Sequence, residues 1–234
     1  MENDRDLLAL IRRIVAGDAD DVRAQLADHP ALATVVSTAG AIRTASSPFF
    51  FTRIRHYLYA GDTALHMAAA AFEPSIAELL VANGAIVHAK NRFGAAPLHY
   101  AADTNHWSPR AQSATVEYLL SVGADPNAAD RLRVTPLHRA VRTRSSPAVK
   151  TLLAGGADPR LKNGSGSTPL HLAVQTTGRG GTGSAHARAE QGEIIRLLLA
   201  AGAKASDRDG RGRSVRQAAT GDATRHLIAA SHSI

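Results

Sequence analysis

The sequence predicts an all-α solenoid of stacked helix-turn-helix units joined by β-turn fingers, and three observations support this prediction. A short motif recurs along the chain. Each clear copy is followed by a second amphipathic run that ends in Gly-Ala. Hydrophobic residues make up 44% of the 234 residues but aromatic residues only 4%, which suits helices packed closely through small side chains better than a β-sandwich or a barrel.

The recurring motif has four clear copies and one degraded copy. The clear copies are GDTALHMAAA from Gly61, GAAPLHYAAD from Gly94, RVTPLHRAVR from Arg133 and GSTPLHLAVQ from Gly166, and the degraded copy is GRSVRQAAT from Gly212. The histidines of the clear copies, at positions 66, 99, 138 and 171, are separated by 33, 39 and 33 residues. A period of this length predicts repeats that bury their apolar faces only by stacking on one another.

Each motif residue has a physical role at the start of the first helix of its repeat, helix A. A threonine side chain can cap the first turn, and the proline after it fits the first helical position, where its missing N–H costs nothing. A glycine just past the second helix, helix B, is expected to end that helix in a left-handed conformation. The threonines are Thr63, Thr135 and Thr168, and the glycines are Gly84, Gly123, Gly156 and Gly202.

The base period of 33 residues, with T-P-L-H-x-A at the start of helix A, resembles the ankyrin repeat. Together with the Gly-rich stretch near position 180, the segments RAVRTRSSPAVKTLL and KNGSGSTPLHLAVQ also resemble a group of bacterial ankyrin-repeat proteins over roughly residues 56–204. The resemblance implies a scaffold that binds through the concave surface formed by its finger tips and helices A. It implies no catalytic activity.

The repeats predict a single domain made of seven segments. We expect an N-terminal cap repeat at 5–30, an insertion at 31–58, full repeats at 59–91, 92–130, 131–163 and 164–209, and a C-terminal cap repeat at 210–230. The N-terminal cap keeps the helix-turn-helix pattern but carries charge on its expected outer face, and in the C-terminal cap Arg216 and Gln217 stand where Leu and His are expected. Such replacements are typical of the end units of a stack.

Three insertions interrupt the period. Residues 31–58 contain most of PFFFTRIRHYLY, and we expect an extended finger or short helix that places these aromatics over the first groove. The alternative is an aromatic patch that contacts a partner.

The segments 103–113 and 176–192 lie between helices A and B of alternate repeats. Either these loops are simply where the fold tolerates extra residues, or together they form a binding site along one edge of the solenoid, called here the loop-edge site. That alternative site comprises Trp107, Arg142, Arg144 and Arg179.

Basic residues at the finger tips predict a binding surface. The tips read HAKNRFG, AADRLR, RLKNGSG and RDGRGR, so Lys or Arg recurs about once per repeat. Together with a net charge of +7, this stripe favours an acidic protein partner. By the ankyrin resemblance, the matching concave helix A positions are Met67, Tyr100, Arg139 and Leu172. The candidate site residues are Lys90, Arg92, Phe93, Tyr100, Arg131, Arg133, Arg139, Arg142, Arg160 and Lys162, with Phe93 and Tyr100 as apolar anchors.

Two alternatives to an acidic protein partner stay open. The stripe can be a row of solvated charges without a ligand, since surface arginine needs no partner. It can also bind nucleic acid or another polyanion, in which case affinity falls steeply with salt. Phe93 is the only aromatic residue among the basic finger tips, which disfavours binding of single-stranded nucleic acid by base stacking. Nucleic acid is therefore the less favoured ligand.

Other chemistries have little support. Residues 178–183, GRGGTG, match G-x-G-x-x-G but follow a helix rather than a strand, so no dinucleotide site is expected. Histidines on helices about 8–10 Å apart are too distant to share zinc, and we expect them to orient the turns by hydrogen bonding. The chain has no cysteine and no G-x-S-x-G elbow. We expect no enzyme activity, cofactor or metal.

The remaining expectations concern location and assembly. The N-terminal run MENDRDLLALIRRIVAGD reads as an amphipathic helix rather than a signal peptide, and no apolar stretch approaches the roughly 18 residues of a membrane span. We expect a cytoplasmic monomer without a membrane partner.

Overall fold

The computed structural model describes residues 2–42, 46–103, 108–175 and 183–230. Six consecutive pairs of helices A and B make up the stack within these ranges. The pairs are α1 Glu2–Ala16 with α2 Ala19–Asp28, α3 Ala64–Ala71 with α4 Pro74–Ala82, α5 Pro97–Ala102 with α6 Pro109–Ser121, α7 Pro136–Arg142 with α8 Ser146–Ala154, α9 Pro169–Ala173 with α10 Ala185–Ala200, and α11 Val215–Ala218 with α12 Asp222–Ala230. The predicted all-α repeat solenoid is confirmed.

One continuous apolar core runs along the stack. Each helix A packs on the next helix A, from α1 to α11, and each helix B on the next helix B, from α2 to α12. The motif leucines of the four clear repeats are fully buried between the layers: Leu65, Leu98, Leu137 and Leu170. Because every repeat covers the apolar face of its neighbour, the repeats stabilise one another rather than folding singly.

The motif histidines join each repeat to the next. Nδ1 of His66 accepts the backbone N–H of Thr63 at 3.1 Å, so the proton is on Nε2, which donates to the carbonyl of Ala95 in the following repeat at 3.1 Å. The same inter-repeat bond runs from His99 to Val134, from His138 to Ser167 and from His171 to Arg213. The prediction that these histidines orient the turns by hydrogen bonding is confirmed.

The finger tips form a regular row, because backbone hydrogen bonds join each finger to the next. The N–H groups of Arg92, Arg131, Gly164 and Gly210 donate to carbonyls of the preceding finger, at 2.7 to 3.1 Å. Arg133 has φ 57°, at a turn position where three other fingers have glycine, and its side chain is exposed. The glycines predicted to end helices B also have positive φ, between 89° and 96°.

The segment predicted as an insertion at 31–58 contains a β-hairpin and two short 3₁₀ helices, where an extended finger or a short helix was expected. Strand β1, Phe50–Phe51, pairs antiparallel with β2, His56–Tyr57. Short 3₁₀ helices occupy Pro30–Ala33 and Ser47–Phe49. Ile54 and Leu58 are buried, whereas Phe50 is partly exposed. The hairpin therefore packs on the stack through its own apolar residues.

The two other predicted insertions are partly helical. Helix α6 begins at Pro109, inside 103–113, and α10 begins at Ala185, inside 176–192. The Gln191 side chain, in α10, donates to the carbonyls of Ala173 and Gln175 at 2.7 Å and so ties this helix to the end of α9. Residues 104–107 and 176–182 lie outside the described residues.

Among the described helices, none is both long enough and apolar enough to cross a membrane.

Candidate functional site

Four basic side chains are exposed along the finger tips. Lys90, Arg131, Arg133 and Lys162 belong to three successive fingers, and each is exposed. None of the four makes an ion pair with another described residue. Their charges are therefore free to attract an acidic ligand.

Two apolar side chains stand at equivalent tip positions between these charges. Phe93 is 44% exposed and Leu132 is 72% exposed. They lie in adjacent fingers, which are held together by the hydrogen bond from the N–H of Arg131 to the carbonyl of Phe93 at 2.9 Å. The sequence prediction included Phe93 but missed Leu132. An apolar residue between two arginines at a turn tip, R-L-R, was the signal that could have identified it.

Arg92 and Arg160 already have partners within the protein. The Arg92 guanidinium lies over the rings of Tyr59 and Phe93, and its Nη2 donates to the carbonyl of Ala41 at 2.6 Å. Arg160 pairs with Asp207 of the next finger at 3.0 Å. Both residues remain near the tips, but their guanidinium groups stabilise contacts between segments and are less free to bind a ligand.

Tyr100 is not an exposed anchor, which corrects the prediction. Its side chain is 1% exposed, and its hydroxyl donates to the Asp62 carboxylate at 2.8 Å while accepting the Asn91 amide at 2.8 Å. The ring of His56, from the hairpin, packs against the Tyr100 ring at a tilt of 40°, with centroids 4.4 Å apart. Met67, also predicted on the concave face, is fully buried. The hairpin therefore covers part of the helix A surface that a partner was expected to contact.

Arg139 is also mostly buried, which corrects its assignment as a freely exposed cation. Its two terminal nitrogens pair with Asp103 at 2.7 Å and with Asp130 at 3.3 Å, and its side chain is 14% exposed. The carboxylates attract the positive charge and, against the opposing effect of burial, raise the pKa of Arg139. Arg142 shares Asp103 at 3.2 Å but is 60% exposed. Arg139 therefore joins two repeats, whereas Arg142 faces solvent.

A pocket of about 240 Å³, here called the concave pocket, lies in the angle between the fingers and helices A. Its lining includes His56, Tyr59, Phe93, Asp103, Arg139 and Arg142. Burial lowers the pKa of His56, so its ring is neutral near pH 7. The volume is below the roughly 300–1,000 Å³ typical of small-molecule sites. The concave pocket therefore suits one side chain of a larger ligand.

Comparison with protein-family models supports the repeat assignment. A model of "Ankyrin repeats (3 copies)" matches residues 49–130, one of "Ankyrin repeats (many copies)" matches 119–173, and one of "Ankyrin repeat" matches 165–210. The three matches together cover 49–210 without a gap. The chain belongs to the ankyrin-repeat family. Ankyrin repeats generally mediate protein–protein interaction and are typically non-catalytic.

The ankyrin stack brings together part of the predicted site. Phe93, Arg131 and Arg133 lie in adjacent fingers, and Arg139 and Arg142 lie on α7 behind them. Of the alternative loop-edge site, Trp107 and Arg179 lie outside the described residues. Arg144 is half-buried, and its guanidinium reaches the carbonyl of Gln175 at 3.4 Å.

Proposed function

We propose that this ankyrin-repeat chain is a non-catalytic scaffold that binds an acidic segment of a protein partner on its finger tips. The observation that carries the proposal is the exposed pair Phe93 and Leu132, set among basic side chains that make no ion pairs with described residues. We call this set the tip surface; it comprises Lys90, Phe93, Arg131, Leu132, Arg133 and Lys162.

The two kinds of side chain have different expected roles. Burial of apolar area contributes about 25 cal/mol per Å², so Phe93 and Leu132 are expected to supply most of the affinity. Exposed ion pairs contribute about 0–1 kcal/mol each, but they steer association and select an acidic partner. Two large apolar side chains at the centre of the surface favour a protein segment over a polyanion, which would contact mainly the charges.

A peptide selection tests this proposal. We expect phage-displayed random peptides selected on the full chain to be enriched in Asp and Glu beside one or two large apolar residues. The Arg131→Glu/Arg133→Glu/Lys162→Glu variant should bind a selected peptide at least about tenfold more weakly in fluorescence anisotropy, because three attractions become repulsions. Leu132→Ser should also weaken binding, without loss of fold, because its side chain is mostly exposed.

The matched control changes the same amount of charge on exposed residues outside the finger tips: Arg23→Glu, Lys150→Glu and Lys204→Glu. It should keep the wild-type affinity to within about twofold. Equal losses in the two triple variants would show attraction to overall charge rather than to the tip surface. A DNA duplex that binds more tightly than any selected peptide, with a steep dependence on salt, would favour the polyanion alternative.

A further inference from the structure

We propose that an acidic segment of a partner protein docks in a groove between α1 and the β-hairpin, where it inserts a large apolar side chain between Arg12 and Arg53. The groove has a volume of about 380 Å³ and is called here the hairpin groove. Its lining includes Leu8, Arg12 and Val15 from α1 and Phe50, Phe51 and Arg53 from the hairpin. It shares no residue with the tip surface, so this second docking site is independent of the proposed function.

The floor of the hairpin groove is apolar and only partly covered. Leu8 and Phe51 are half-buried and pack against the core of the stack. Phe50 is 38% exposed, and its ring lies 4.7 Å from the ring of Tyr57 on the paired strand. The stack and the hairpin therefore hold these side chains in place while leaving apolar area open to solvent. Exposed apolar area with a polar rim is typical of an interaction site.

One arginine stands on each wall of the hairpin groove. Arg12 lies on α1 and Arg53 in the turn between β1 and β2, and both are exposed. Neither forms an ion pair with another residue in the described part of the chain. Arg5, about one turn before Leu8 on α1, is exposed as well. The rim is therefore positively charged on both sides of the apolar floor.

The carboxylate of Glu73 is the acidic group that interacts with Arg53. Burial raises the pKa of Glu73, and the positive charge of Arg53 opposes this effect. The two groups nevertheless do not come within ion-pair distance of each other in the structure. Glu73 therefore leaves the Arg53 guanidinium able to pair with a carboxylate from outside, as Arg12 is on the opposite wall.

These features favour a protein segment over other occupants. Small-molecule sites enclose most of their ligand, whereas most residues that line the hairpin groove are exposed. The main apolar face of α1 is buried against α3, so it is not free to enter a lipid surface. Two copies packed groove to groove would place arginines against arginines. A segment that continues past both walls, with carboxylates on either side of an apolar residue, matches the groove in shape and charge.

A peptide selection on a chain with a disabled tip surface tests this proposal. The bait is the full chain carrying Arg131→Glu/Arg133→Glu/Lys162→Glu, so that the tips do not compete for acidic peptides. We expect phage-displayed random peptides to be enriched in a large apolar residue with Asp or Glu on both sides. Selected peptides should bind the bait with a Kd of about 10–100 μM in fluorescence anisotropy.

Two further changes in the bait locate the binding. Ala16→Phe fills the hairpin groove from an exposed lining position, and Arg12→Glu/Arg53→Glu reverses the charge of both walls. Each should weaken peptide binding at least about fivefold, while circular dichroism confirms that the fold is kept. The matched control, Lys150→Glu/Lys204→Glu, reverses two exposed charges outside the groove and should change the affinity by less than about twofold.

The outcomes separate the two docking sites. Failure to enrich any peptide, or unchanged affinity in both groove variants, would overturn docking in the hairpin groove. Co-sedimentation of the chain with phosphatidylserine–phosphatidylcholine vesicles that is lost in Arg12→Glu/Arg53→Glu, without peptide binding, would overturn it in favour of a lipid surface. If peptides selected on the wild-type chain ignore tip reversal but are lost in the groove variants, the proposed function fails while docking in the groove stands.

Discussion

Replacing Arg139 by methionine is expected to lower the free energy of unfolding by about 3 kcal/mol or more. The guanidinium neutralises two carboxylates, Asp103 and Asp130, whose side chains are only 9% and 8% exposed. Methionine fills similar space but leaves Asp130 without its ion-pair partner and Asp103 with Arg142 alone. Uncompensated buried charge is strongly destabilising. Urea unfolding followed by circular dichroism at pH 7.5 measures the loss.

Arg142→Met is the matched control for this variant. Arg142 also bonds Asp103, but its side chain is 60% exposed, so solvent replaces most of what the substitution removes. We expect a loss below about 1 kcal/mol. Equal losses in the two variants would contradict this expectation, because Arg139 would then behave as a freely exposed surface cation.

Acidification is expected to destabilise the stack between about pH 6.5 and pH 4 through the motif histidines. Burial lowers the pKa of His66, His99, His138 and His171, that of His99 from 6.5 to about 4. Each histidine has a lower pKa in the folded state than in the unfolded chain. Below pH 6.5 the unfolded chain therefore binds protons that the folded state does not, and the free energy of unfolding falls; above pH 6.5 this loss is absent. His99 alone accounts for about 3 kcal/mol.

His99→Gln tests this assignment, because glutamine keeps the cap but does not titrate. In the last repeat Gln217 already holds the equivalent position, and its Oε1 accepts the N–H of Ser214 at 2.8 Å. The variant should reduce the dependence of unfolding free energy on pH by about 1.4 kcal/mol per unit across most of the window. An unchanged slope in His99→Gln would show that other groups govern acid unfolding.

The repeat itself was predictable because each motif residue acts locally. Thr135 caps its helix by accepting the N–H of His138, Pro136 begins that helix, and Gly156 follows the next helix at positive φ. These roles depend on neighbours within a few residues, and the period repeats them. The basic tips could be located for the same reason, since each tip lies at a fixed distance before its motif.

The departures from the repeat depend on contacts that the period does not encode. Tyr100 fits an exposed helix A pattern, but His56, from the hairpin, lies on its ring. The number of residues in excess of the repeat period located the insertion before α10. It could not show that α10 itself begins as early as Ala185, inside that insertion. Arg139 looked like a free cation because Asp103, its closest partner, belongs to the previous repeat.

Binding of an acidic partner to the tip surface is tested most directly by an NMR map of the chain with a selected acidic peptide. We expect the largest backbone amide shifts at Phe93, Arg131, Leu132, Arg133 and Lys162, in three adjacent fingers, with smaller changes on α7 behind them. Shifts centred instead on helices B, around Glu117 on α6 and Lys150 on α8, would contradict this expectation, because the partner would then bind helices B rather than the finger tips.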